Sequence, residues 1–184
     1  MFFDHFKCKK EEGMYKIWDP LKPGSITSMA GNYIFILRQG VELFQPKMDE
    51  KPIYKTIVYE GREYNVLYTG VGKNLYERII KVHYGDNAGR STLRKSLGSL
   101  CGYGFIPRDK NKPMNGKTKF KPEDEQKITS WMMTNLIVLY KENPNYAKDE
   151  IKLINKYNPP LNIKENENSV NWNYREKLHL LRKG

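Results

Sequence analysis

The chain is short of the residues that build metal centres and disulfide frameworks. Its 184 residues hold only two cysteines, Cys8 and Cys101, far apart and without metal-ligand spacing. No disulfide scaffold is expected, and a reducing, cytoplasmic setting fits best. The three histidines, His5, His83 and His179, are scattered, so no zinc site is indicated. No apolar run approaches the length that spans a bilayer, and the opening MFFDHFKCKKEEG lacks the apolar core of a signal peptide. A soluble protein that is not exported is expected. Internal repeats and low-complexity segments are also missing.

What is present is charge of one sign and many aromatic rings. Against 21 acidic residues stand 32 basic ones, a net charge of +11. Such an excess favours an anionic partner, nucleic acid being the commonest for a soluble chain. A merely Lys-rich, soluble surface has the same composition, so charge alone does not separate the two. Hydrophobic residues at 39% and aromatics at 12% argue for a packed interior rather than a disordered chain. The length suits one domain.

The pattern of apolar residues is mixed α and β. GNYIFIL (31–37) reads as a strand whose alternating sets are both apolar: Tyr33, Phe35 and Leu37 on one face, Ile34 and Ile36 on the other. A sheet covered on both sides follows. IYKTIVY (53–59), the turn EGRE and YNVLYTG (64–70) read as a β-hairpin. A helix is expected from about Lys73 with a stripe of Leu75, Ile79 and Val82, broken at GDNAG (85–89). Ser91 can cap a second helix carrying Leu93, Leu97 and Leu100. Residues 101–122, rich in Gly, Pro and Lys, read as a long irregular loop. A further helix with Pro122 near its start, a strand at 135–140 and a helix at 146–157 follow, the last stopped by Asn158-Pro159-Pro160. The tail reads as a final helix.

Residues 68–79, YTGVGKNLYERI, raise the question of a phosphate loop. A nucleotide-binding loop needs a glycine where Leu67 stands and Ser or Thr where Asn74 stands. That reading fails. Arg78 shares a helical face with Leu75, Ile79 and Val82, so an arginine lies within an apolar stripe and needs partners. Glu150 is placed likewise, on a face with Ala147, Ile151 and Ile154. The two charges can pair with each other, or they can line one polar cleft that takes a metal and a phosphate.

GNY at 31–33 and YTG at 68–70, each on a strand, resemble the two signature tripeptides of the GIY-YIG nuclease family. Arg78, ten residues past Tyr68, Glu150 on a later helix and Asn162 in NPPLN stand where that family has an arginine, a glutamate and an asparagine. The resemblance spans 31–162. It implies an α+β fold, a small, mainly antiparallel sheet flanked by helices, and a metal-dependent DNA endonuclease site using Mg²⁺ or Mn²⁺. By the same resemblance Tyr33 is the general base and Tyr68 supports water and phosphate placement, while Asn162 is expected to orient the site or a phosphate. Glu150 is the natural metal ligand, since Mg²⁺ accepts one carboxylate with several waters. Arg78 offers a planar fork for the scissile phosphate. A phenol acting as base needs nearby positive charge, which Arg78, Lys73 and the cation can supply.

Three departures from the family pattern stand out. Asn32 replaces a hydrophobe and points away from the Tyr33 face, so it should affect packing. Thr69 replaces an isoleucine. Val82 stands where many members carry a histidine; His83 is one residue later, turned by roughly 100° on an ideal helix, and can serve only if the helix ends or distorts. His5 and His179 are expected at the surface or in packing.

The expected organisation is an extension at 1–30, a catalytic domain at 31–162 with insertions near 38–63 and 101–122, and a helical extension at 163–184. DNA contacts are expected from Arg108, Lys110, Lys112, Lys117 and Lys119 in the basic loop, where Tyr103, Phe105 and Phe120 are interleaved, and from Arg90 and Arg94. A solvated Lys-rich loop is the other reading of that segment. The additional segments could supply sequence recognition or a homodimer contact. The leading function is a restriction-like or stand-alone endonuclease. The alternatives are a non-catalytic nucleic-acid-binding module on the same scaffold, and a basic interaction protein with an accidental match.

Overall fold

The computed structural model describes residues 15–183. His5, Cys8 and most of the expected N-terminal extension lie outside the described residues.

The central strand is β2 (Gly31–Leu37), every residue of which is buried. It pairs antiparallel with β4 (Arg62–Gly72) on one side and with β7 (Leu136–Glu142) on the other. Two shorter strands complete the sheet. β3 (Thr56–Tyr59) joins β4 as a hairpin, and β1 (Lys16–Trp18), which had no signal in the sequence pattern, pairs with β7. The order is β1-β7-β2-β4-β3, antiparallel throughout. The hairpin turns through Glu60 and Gly61, both at positive φ, which matches the twist of the two strands.

The expected two-sided cover is present. Tyr33, Phe35 and Leu37 enter the main core with residues of α1 (Thr92–Cys101), α2 (Pro122–Asn135) and α4 (Trp172–Leu181). Ile34 and Ile36 enter a second cluster beneath α3 (Tyr146–Tyr157), which contributes Leu153 and Tyr157. Ser91 caps α1 through a bond accepted from the Arg94 N–H, and Pro122 opens α2 with Glu123, Asp124 and Glu125 in its first turn. Tyr174 and Leu178 place α4 within the main core.

The segment 101–122 departs from the expected irregular loop. It forms a second, two-stranded sheet, β5 (Phe105–Pro107) with β6 (Thr118–Phe120). Its rings are packing groups: Phe120 is fully buried, Phe105 stacks on it at 5.0 Å, and Tyr103 meets its edge. Gly98 of α1 lies directly against the Phe120 ring. Glycine and proline marked the turns here, while the stacking of Phe105 on the buried Phe120 accompanies the pairing.

Beyond Asn65, the outer edge of β4 has no full partner strand. The loop after α3 covers it. Asn158 ends α3 in the left-handed conformation, and residues 158–162 are all buried. The Leu161 N–H donates to the Leu67 carbonyl at 3.3 Å. Asn162 clamps the Thr69 peptide twice, its Oδ1 accepting from the Thr69 N–H and its Nδ2 donating to the Thr69 carbonyl, each at 2.9 Å. A side-chain amide thus replaces a strand where the edge would otherwise be unpaired.

Candidate active site

Pairing of β2 with β4 sets Tyr33 opposite Gly70 and Phe35 opposite Tyr68, with Tyr33 and Tyr68 in the same core layer. The Tyr33 phenol lies across Gly70, where any Cβ would collide with its hydroxyl. Gly72 likewise leaves room for Arg78, whose Cβ would sit 2.9 Å from an added methyl. The glycines of YTGVG therefore serve close approach to the two side chains.

The helix after β4 is distorted as the histidine position required. Residues Glu77–His83 form a π-helix, in which the Tyr84 N–H donates to the Ile79 carbonyl five residues back at 3.0 Å. The wider turn realigns the face: Arg78 and His83, five apart, come together. Arg78 Nε donates to the Tyr33 hydroxyl at 3.2 Å, and that hydroxyl shares a 2.7 Å hydrogen bond with His83 Nε2. His83 is fully buried and held from its other side by Ser91, 2.8 Å from Nδ1. Val82, expected in the core stripe, is only half-buried.

Electrostatics follow from burial. Desolvation pushes the Tyr33 phenol well above its ordinary value, opposed by Arg78. Burial also raises Tyr68, whose hydroxyl bonds Thr92 Oγ1 at 2.9 Å. Desolvation, assisted by Arg78 and Arg94, drives His83 far below the ordinary imidazole range, so it is neutral at pH 7. Burial disfavours the Arg78 charge, but Tyr33 and Tyr68 more than offset this, and its pKa is raised.

Glu150 is half-buried on α3. Its inward face is the set Glu150, Leu153, Ile154 and Tyr157; Ile151, expected to share that face, is 49% exposed. No hydrogen bond or ion pair satisfies the Glu150 carboxylate among the described residues. Burial, and Glu165 opposite, raise its pKa, while Arg78 and Lys164 pull it down. Arg78 thus interacts with Tyr33, Tyr68 and Glu150 without forming an ion pair to any of them. Asn32 has a positioning role beyond packing: it donates to the Tyr146 carbonyl at 2.9 Å and accepts from Asn143 at 2.7 Å, tying β2 to the start of α3.

Tyr68, Glu150 and Asn162 line one cleft of about 480 Å³, together with Thr92, with His179 of α4 and with Arg182, the residue that ends that helix. Tyr33 is buried behind it. Sequence reasoning passed over Arg182 and set His179 aside; their i, i+3 spacing, which puts both on one helix face, was the signal available. Lys73 stands exposed on the turn before the π-helix.

Among the expected nucleic-acid contacts, Arg90, Lys110, Lys112 and Lys117 are exposed, and Arg108 and Lys119 are half-buried. Arg108 donates to the Gly89 carbonyl at 3.0 Å, which ties the small sheet to the short helical turn Ala88–Arg90 that precedes α1. Arg94 is a correction. It is fully buried, and its guanidinium is saturated by Glu125, the Glu125 and His83 carbonyls and Thr129. It holds α1 to α2 and faces no solvent.

No helix among the described residues is long and apolar enough to cross a membrane. A homodimer finds no support in the fold. Comparison with curated proteins and with solved structures gives no match. A family model described as the GIY-YIG catalytic domain matches residues 31–184. With the match covering most of the chain and the tyrosine strands at its start, the protein belongs to the GIY-YIG family, whose catalytic domain is that of a nuclease, a hydrolase acting on nucleic acid.

Proposed function

We propose that the protein is a DNA endonuclease that hydrolyses phosphodiester bonds with a divalent cation, Mg²⁺ or Mn²⁺, and that it works in a restriction-like or stand-alone role. The observation that carries the reading is Arg78: a half-buried cation bonded to a buried phenol and, among the described residues, neutralised by no carboxylate, beside a cleft lined by Glu150, whose carboxylate has no partner among them. Such a cation is poised for an anion from outside, and its planar fork suits a phosphate.

The donor set fits a metal. One unpaired, half-buried carboxylate facing a second one is relieved by a divalent cation, and Mg²⁺ accepts a single carboxylate with waters filling its other positions. Glu150 would hold it, and the ion would supply charge neutralisation at the phosphoryl oxygens and a more acidic water. GIY-YIG nucleases generally depend on a divalent metal, in keeping with this assignment.

The rest of the chemistry belongs to the protein. Arg78 holds the scissile phosphate. Tyr33 acts as base without a resting phenolate, which its burial opposes: it takes a proton from the attacking water as it passes its own to His83 Nε2. The nucleophilic oxygen bonds to phosphorus, the bond to the leaving oxygen breaks, and that oxygen takes a proton from solvent in the cleft. Burial, with Arg78 and Arg94 adding to it, keeps His83 neutral in the free protein. An incoming phosphodiester anion on Arg78 lessens that opposition and makes the hand-off easier. Tyr68 positions water and phosphate from the cleft wall. Asn162 acts through Thr69, holding β4 and hence both flanking residues, Tyr68 and Gly70, in register. Lys73, Arg90 and the lysines of the β5–β6 segment follow the backbone of the duplex outside the cleft.

The test is incubation of purified protein with supercoiled plasmid in Mg²⁺ and in EDTA. Nicking or linearisation in Mg²⁺ that stops in EDTA, and stops in Glu150→Gln while DNA binding survives, is the expected result. Equal cleavage by Glu150→Gln would remove Glu150 from the site. Salt-sensitive binding without cleavage of any nucleic acid would favour a binding module on the same scaffold.

A further inference from the structure

The buried and half-buried arginines of this chain divide by whether their guanidinium groups are satisfied. Arg38 is forked onto Asp19. Arg94 is saturated around Glu125. Arg175 donates to Asn158 and to the Asn168 and Val170 carbonyls, which pins the loop before α4. Arg182 is unlike these. It is half-buried, it lines the cleft with Tyr68 and Glu150, and its guanidinium has no hydrogen bond or ion pair among the described residues.

Its surroundings sharpen the anomaly. The nearby Lys95 is a second cation, its ammonium bonded to Thr118 Oγ1 at 3.0 Å and set over the Phe105 ring, and the two repel. His179, one turn earlier on α4, lines the same wall. Burial lowers the Arg182 pKa, and the Tyr68 phenol is what counters it. An arginine at a helix C-terminus gains only modestly from the dipole when exposed. That gain explains neither its burial nor the absence of a partner. A half-buried guanidinium with no acceptor is costly unless an anion completes it. The acidic side chains that line the cleft, Glu150 and Glu165, lie on α3 and the loop that follows it, with Glu165 paired to Lys164 at 3.3 Å. Glu150, Glu165 and the cation Lys164 thus come from α3 and the loop after it, whereas His179 and Arg182 come from the C-terminal helix and its end.

We infer that Arg182 is a second phosphate-binding arginine of this cleft, taking a backbone phosphate of the nucleic-acid strand next to the one held by Arg78. The inference rests on the nuclease reading for the identity of the strand, and on the unsatisfied guanidinium for the site. It gives the end of α4 a substrate-holding role: the strand is held by Arg78 from the π-helix and by Arg182 from the C-terminal helix, the two arginines whose charge reaches the Tyr68 phenol. The contact to a flanking phosphate is made in ground state and transition state alike, so its loss should appear in KM more than in kcat.

The experiment uses the full chain with Arg182→Gln, Arg182→Lys and, as a charge-matched control, Lys183→Gln. Binding of a fluorescent DNA duplex is measured in EDTA over a range of salt, and cleavage of the same duplex in Mg²⁺. Arg182→Gln should raise Kd and KM by about tenfold or more, as expected for loss of a charge-assisted hydrogen bond. Its kcat should stay within a few-fold of the parent, and the slope of log K against log salt should fall by about one. Arg182→Lys should lie between, and carries the test if Arg182→Gln melts early. Lys183→Gln should match the parent in KM. Parent-like Kd, KM and salt slope in Arg182→Gln, with the parent cleaving normally, would overturn the inference and leave the nuclease reading standing. A parent that cleaves nothing while Arg182→Gln loses binding would sink hydrolysis and support the phosphate contact.

Discussion

Arg78 and Arg94 look alike in the sequence, each an arginine on a helix beside apolar residues, and they end in opposite circumstances. Arg94 is fully buried and meets a carboxylate at 2.7 Å, with two carbonyls and a hydroxyl completing its donors. Arg78 is half-buried and makes one bond to a phenol and a longer one, at 3.4 Å, to the Arg90 carbonyl. The first is spent on holding α1 against α2. The second keeps most of its hydrogen-bonding capacity. An inward-facing arginine is thus a structural or a functional group according to whether the fold has already satisfied its donors. Here the two kinds meet at His83, whose carbonyl accepts from Arg94 and whose ring bonds the Tyr33 hydroxyl that Arg78 also holds.

Removing each answer breaks the comparison in a different place. The largest effect is expected at Glu125→Ala, which strands the Arg94 charge in the core and frees the Ala88 and Phe120 N–H groups that Glu125 also accepts. Loss of one partner of a buried pair costs about 3–5 kcal/mol. Denaturant unfolding should show a loss of that order; a change under about 1 kcal/mol would mean that Arg94 finds other partners.

A smaller effect is tied to pH. His83 has a folded pKa depressed far below its unfolded value, so the unfolded chain binds the extra proton as pH falls. The stability conferred by a neutral His83 is present above about pH 6.5 and is lost downward from there, by about 1.4 kcal/mol per pH unit. Between about pH 6.5 and 5, His83→Gln should flatten the fall of stability that the parent shows, since the carboxylates titrate mainly lower. Parallel stability curves for the two proteins would place the ring in solvent contact.

Much of this fold was legible in the sequence. GNYIFIL is β2 to the residue, and 146–157 is α3 to the residue, because alternation, helical spacing and an Asn-Pro-Pro stop are local signals. The edge strand β1 and the β5–β6 pair were not. Three-residue strands have too few positions to show a period, and they form because their partners are already in place. At the site, the tyrosines, Arg78 and Glu150 were indicated by order and spacing. The role of His83 depended on a π-helix, a tertiary outcome that puts Ile79 and Leu75 in the core while turning the ring onto Tyr33. Arg94 misled because a basic residue beside a leucine stripe reads as surface until its buried acid, Glu125, is placed against it. Arg182 was passed over for the opposite reason: at the end of a charged tail helix, nothing local marks a guanidinium that folding leaves unanswered.

We propose, above all, that Arg78 is kept free for substrate while Arg94 is given to the fold. The most direct test is plasmid cleavage in Mg²⁺ by Arg78→Gln beside the parent, with unfolding free energies measured on both. The expected result is a rate lower by about 10²–10³, as for loss of a transition-state charge donor, with stability within about 1 kcal/mol of the parent. Undiminished cleavage, or a loss of activity that only follows a loss of stability, would contradict it.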